Sequence, residues 1–273
     1  MNWRAIFALV RKDLSIVRQS KAVMIPIIMV PVILVVVLPL GASLLLGNEA
    51  MMADFTDDMA VFFDNLPESI RDEIAPYQSE SQQALYLLLV YQFAPLFLIV
   101  PLMMANVIAA DSFVGERERK TLEALIHTPA TDFEIYASKL LTAWIPALIV
   151  TLAGSVLYGL VVNVAAYPII ERVFFPTALW VVLIVWVAPA AAGLGLAAMV
   201  LVSSRVNTFQ EAYQLSGLVV LPVVFLLVGQ FAGLLYLSPA LLIVGGLVLW
   251  GIDGALLWYG ARSFQRGELI ARL

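Results

Sequence analysis

Six long stretches of this chain are almost free of charge, and that decides what it can fold into. Residues 22–46, 84–110, 140–165, 176–202, 212–235 and 240–260 hold a single Asp, Glu, Lys, Arg or His between them, Asp253. At about 1.5 Å per helical residue, each is long enough to cross a hydrocarbon layer roughly 30 Å thick. The whole chain of 273 residues is 62% hydrophobic and 13% charged. Soluble domains sit near about 45–50% and about 25%. Lipid must therefore be the solvent for these stretches, and in lipid every backbone polar group needs an internal partner. The expected fold is an all-α integral membrane protein of six transmembrane helices. Pro26, Pro31 and Pro39 in the first span and Pro222 in the fifth predict kinks.

The connecting segments set the topology. With the N-terminus inside, the inner segments hold 13 of the 15 Lys and Arg residues, among them Arg4, Arg11, Lys12, Arg18 and Lys21. The outer segments hold two, Arg71 and Arg172. Excess Lys and Arg mark the cytoplasmic side, so both termini are expected there, in a multi-pass protein of the cell (plasma or inner) membrane. The outer loop 47–82 has nine acids, including Asp57 and Asp58, against one base, Arg71. Its acids lack the spacing of a calcium loop. The first apolar run, beginning at Ala22, is too long for the roughly 7–15-residue core of a cleavable signal. Ahead of it, Trp3, Ile6, Phe7, Val10, Leu14 and Val17 fall on one helical arc. Arg4, Arg11 and Arg18 lie beside that arc, and Lys12 lies further round. Residues 1–21 are thus expected to form an amphipathic helix lying in the headgroup zone.

Several chemistries are excluded. The chain has no cysteine and one histidine, His127, which rules out thiolate catalysis and histidine-rich metal sites. No Ser-His-Asp arrangement can be drawn. The string GERERKT at residues 115–121 lacks the second glycine of a phosphate loop. No basic stripe for nucleic acid stands out beyond the inner-loop signal. A transporter of this sequence needs its energy from another chain or from an ion gradient.

The intramembrane polar residues Asn106, Asn163, Gln230 and Asp253 read either as the lining of a path or as contacts between helices. An acid at mid-helix costs roughly 2.5–3.5 kcal/mol on insertion scales. Asp253 therefore reads as an ion or proton site, or as a link to Lys21 or Arg18 at the inner boundary. Asp253 would be the working residue of a gradient-driven transporter. A non-transporting membrane scaffold would need none.

One inner segment is dense in charge. Residues 111–139 hold Asp111, Glu116, Arg117, Glu118, Arg119, Lys120, Glu123, Asp132, Glu134 and Lys139. Gly115 is expected to end the second span, and residues 116–126 to form a helix of their own. Thr131 or Asp132 should cap the next helix. A short charged helix tied to two spans suits the grip of a soluble partner, or it is a solvated hairpin.

The run GERERKTLEALIHTPATDFEIYASKLL resembles the signature of permeases of type-two ABC exporters. Gly115, Glu116, Arg117, Glu118, Thr121, Leu122, Glu123, Leu125, Thr128, Pro129, Glu134, Lys139, Leu140 and Leu141 fit it, while Lys120 and Ser138 stand where glycine is common. The resemblance implies a cytoplasmic coupling helix over residues 116–125, with a lesser contact at 203–210 that includes Ser203 and Arg205. It implies two copies of a separate ATP-binding subunit, which carry the ATP and Mg, so that this chain binds no cofactor and is not itself an enzyme. It implies a second permease chain, as a homodimer or with a relative. Spans two and five would border the path, which makes Asn106 and Gln230 candidates to line it. The cargo implied is apolar or amphipathic: a drug, lipid or peptide.

Overall fold

The computed structural model describes residues 2–47, 65–119 and 130–263. Among them the regular secondary structure is all helix, and six helices are long and apolar enough to cross a membrane. Helix α1 is Trp3–Val17. The first span, α2, is Lys21–Leu46. A short helix, α3, spans Glu68–Ile74. The remaining spans are α4 (Glu80–Glu118), α5 (Asp132–Ile170), α6 (Ala178–Ser203), α7 (Phe209–Phe231) and α8 (Pro239–Ser263).

Helix α4 is the hub. Its most apolar stretch is 72% buried, against 17% for α2, α7 and α8. It packs on α2, α5, α6 and α7. Close approach to α6 depends on small residues: a Cβ on Gly195 would meet the backbone of Leu102. Small residues let helix backbones approach in lipid, where no hydrophobic force drives helices together. By contrast α2, α7 and α8 keep apolar faces outward, Phe225 at 71% exposure among them.

Near its start α4 widens into a π turn at Leu88–Gln92. Pro95 has no N–H, so the Tyr91 carbonyl loses its helical donor. Side chains from three other helices bind this turn. Tyr158 of α5 donates to the Leu89 carbonyl at 2.6 Å, Trp180 of α6 to Val90 at 2.8 Å, and Gln230 of α7 to Tyr91 at 3.2 Å. Tyr158 and Trp180 also stack, with ring centroids 4.4 Å apart. Carbonyls freed in lipid need such partners, and here they fix four spans to one another.

Two predicted boundaries move. Gly115 does not end the second span; a π turn at Asp111–Gly115 carries the helix on to Glu118. Gly115 is needed for another reason. A Cβ there would lie 2.9 Å from Asp111 Oδ1 and 3.3 Å from the Arg119 guanidinium, which folds back over the glycine to reach Asp111. The third span starts at Asp132, where Thr131 forms a capping box with Glu134, and runs to Ile170. Glu171 ends it in the left-handed conformation, φ 59°. Between α7 and α8, residues 232–234 turn the chain and residues 235–238 are irregular.

The ends of the bundle differ in charge. One gathers α1, residues 111–119 and 131–139, the 203–209 turn and Arg262; the other carries Arg71 and Arg172. At the second end Arg172 donates to the Pro76 carbonyl at 2.8 Å and lies 4.0 Å from the centre of the Tyr77 ring. The apolar face of α1 divides. Ile6, Val10 and Val17 turn into the protein together with Asp13, and Trp3 and Phe7 remain outside.

Candidate functional site

At the basic end the capping box fixes where α5 begins. Thr131 N–H donates to Glu134 Oε2 at 2.9 Å, and the other oxygen, Oε1, accepts the Asn2 N–H at 2.6 Å. The start of α1 is thereby tied to the start of α5. Two turns along α5, Lys139 is buried and faces the last turns of α4.

There a cluster of four charges forms, with Asp13, Glu116 and Lys139 buried and Lys12 at its exposed edge. The Lys139 ammonium donates to Glu116 Oε2 at 2.6 Å, and Lys12 of α1 donates to Glu116 Oε1, also at 2.6 Å. Lys12 also lies 3.1 Å from Asp13 Oδ1. Lys139 donates to the Ser112 carbonyl as well, and the Ser112 hydroxyl points to Asp13 Oδ2 at 3.4 Å. Two cations and two anions balance. Desolvating charge is expensive unless geometry and further hydrogen bonds compensate; Ser112 supplies part of that compensation. Burial pushes the Asp13 carboxyl above its ordinary range, even with Lys139 and Lys12 drawing it down. Burial lowers the Lys12 ammonium, but its bond to Glu116 and the nearby Asp13 leave it above its ordinary value. Nearby, Arg119 donates to both Asp111 oxygens, at 2.8 and 3.2 Å, and that bond raises the guanidinium further.

The next two residues of α4 reach the 203–209 turn. Arg117 donates to the carbonyls of Ser203 and Val206 at 3.1 and 3.2 Å. Glu118 accepts the Phe209 N–H at 2.8 Å, at the start of α7. A carboxylate at a helix N-terminus meets unpaired N–H groups and the positive end of the helix dipole. Glu116, Arg117, Glu118 and Ser203 thus share one platform. Arg205 is exposed at its edge. Thr121, Leu122, Glu123 and Leu125 lie outside the described residues, as do His127, Asp57 and Asp58.

The intramembrane polar residues are scattered. Asn106 is fully buried inside the protomer, and its amide has no hydrogen-bond partner among the described residues. Asn163 serves the turn after α5: its Oδ1 accepts from Phe174 and Phe175 N–H at 3.1 and 3.2 Å, and its Nδ2 donates to the Phe175 carbonyl at 2.9 Å. Gln230 caps the Tyr91 carbonyl. Asp253 makes no link to Lys21 or Arg18; it faces Gly193 of α6 and has no hydrogen-bond partner among the described residues. That position corrects the inner-boundary link expected from sequence. Among the described residues no three acids or histidines come together to hold a metal ion.

Sequence reading missed Asp13 and Ser112, and it did not pair Lys12 or Lys139 with Glu116. One signal was present: Asp13 falls beside Ile6 at the edge of the apolar arc of α1, where an acid is out of place in a helix facing only headgroups.

The fold and this platform define a multi-pass helical membrane protein in which residues 111–119 and the 203–209 turn are bound into one body with the spans. The family model for ABC-2 family transporter proteins matches residues 7–243, and the chain belongs to that family. Comparison with curated proteins and with solved structures found no match.

Proposed function

We propose that this chain is the transmembrane subunit of an ATP-driven exporter. It would move an apolar or amphipathic substrate outward, using ATP and Mg bound by two copies of a separate ATP-binding subunit. A second copy of the chain would complete the complex. The chain contributes no catalytic residue of its own; its part is to receive a displacement and pass it to the spans. Both termini and the platform would face the cytoplasm, consistent with the Lys and Arg residues at that end.

The observation that supports this reading is the join between the two inner segments. Arg117 and Glu118 hold the 203–209 turn, while Glu116, one residue earlier, is ion-paired to α1 and α5. A push on either segment reaches α4, α5, α6 and α7 together. A loose hairpin loop would absorb it.

Purification of the full chain from its native membrane in mild detergent tests the reading. An ATP-hydrolysing subunit should come with it and should be lost from an Arg117→Glu, Glu118→Lys variant that still folds. A chain that purifies alone, where other membrane complexes survive, overturns it.

A further inference from the structure

Asp253 is the one acid in the apolar core of the spans, and the platform does not use it. It is 2% exposed, and neither carboxyl oxygen has a hydrogen-bond partner among the described residues. The residue it faces is a glycine: a Cβ on Gly193 would come 2.9 Å from the Asp253 carboxyl carbon. The contact between α6 and α8 therefore has room for the carboxyl group and little else beside it.

Among the described residues no cation is placed to balance a negative charge there. Helix α6 contains no Asp, Glu, Lys, Arg or His anywhere along its length. On α5, Lys139 is bound to Glu116, Glu134 to the helix start, and the Tyr136 hydroxyl donates to the Leu257 carbonyl, a turn from Asp253. On α8 itself Arg262 is nine residues on, a half-turn out of phase, and its guanidinium stacks 3.8 Å from the centre of the Trp258 ring. One turn back, Trp250 has its indole N–H buried without a partner among the described residues. An isolated carboxylate in such surroundings takes up a proton rather than stay ionised.

We infer that Asp253 is a proton-binding site: it holds one proton while α8 is seated on α6 at Gly193. Separation of the two helices would wet the carboxyl and let the proton go to water, leaving the carboxylate. The seated contact is thus favoured as pH falls and weakened as pH rises, and any movement that opens it carries one proton. This inference does not depend on the exporter reading, because the proton is held by the chain itself.

Infrared spectroscopy of the purified full-length chain in lipid tests it. The wild type should show the carbonyl band of a protonated carboxylic acid at neutral pH, and Asp253→Asn should lack that component. Asp253→Glu, which keeps an acid, should retain a band at a shifted frequency and guards against a fold defect in the Asn variant. A wild-type spectrum with no protonated acid at neutral pH, or one left unchanged by both substitutions, overturns the proposal. So does a band that disappears when sodium alone is added at constant pH, since the site would then belong to a metal cation.

Discussion

Lys139 and Glu116 meet at 2.6 Å with both side chains 2% exposed, although 23 residues separate them in sequence. The pair closes the gap between the end of α4 and the start of α5. Sequence alone allows Glu116→Ala to disturb coupling and leave the fold intact. A buried, doubly ion-paired Glu116 changes that expectation. Removing one partner of a buried pair costs about 3–5 kcal/mol, because it strands the other charge. Lys139→Met and Glu116→Met should each lower the thermal unfolding midpoint in detergent clearly. The Glu116→Met, Lys139→Met double variant should cost less than the sum of the two, since both centres are then neutral. Additive losses would mean that the two residues do not act as a pair.

Arg117 and Glu118 should behave differently, because their bonds join surface segments. Arg117→Met removes two charge-assisted bonds to the Ser203 and Val206 carbonyls, each worth about 1.5–3 kcal/mol at most. We expect faster proteolysis within residues 203–209, a smaller fall in the global midpoint than Lys139→Met gives, and a loss of transport. Unchanged cleavage would show that the turn does not need Arg117.

The Asp13 carboxyl is pushed up by burial. An acid raised on folding contributes stability that is complete below its unfolded value of about 3.9 and is lost as pH rises through its higher folded value. Asp13→Asn removes that dependence. The difference in midpoint between variant and wild type should therefore move in the variant's favour as pH rises from about 4 toward neutral. A difference in midpoint that stays flat across this range would rule out a titrating Asp13.

Asn163 binds three backbone groups of Phe174 and Phe175 at the end of the bundle away from the platform. Asn163→Leu leaves them without that partner and should cost roughly 2 kcal/mol. Substrate range should not change. A variant that keeps its stability but alters what is transported would return Asn163 to the path.

The spans were legible because lipid imposes one rule on every residue in them: no uncompensated charge and no unpaired backbone. Hydropathy reports that rule directly, residue by residue. The cap at Thr131 was legible too, since a capping box is complete within four residues. The extension of α4 past Gly115 was not. There the glycine serves a side chain that folds back over it, which only the finished helix reveals.

What the sequence determined by itself was therefore local or additive: six apolar helices, an end rich in Lys and Arg, and an amphipathic leading helix. What only the tertiary structure decided was pairing. Lys12 finds Glu116 across 104 positions, Arg117 finds Ser203 across 86, and Gln230 finds the Tyr91 carbonyl across 139. Asp253 meets Gly193 rather than a basic residue. Such partners are fixed by how helices cross and rotate in three dimensions, and a charge or an amide carries no mark in sequence of which distant group will satisfy it.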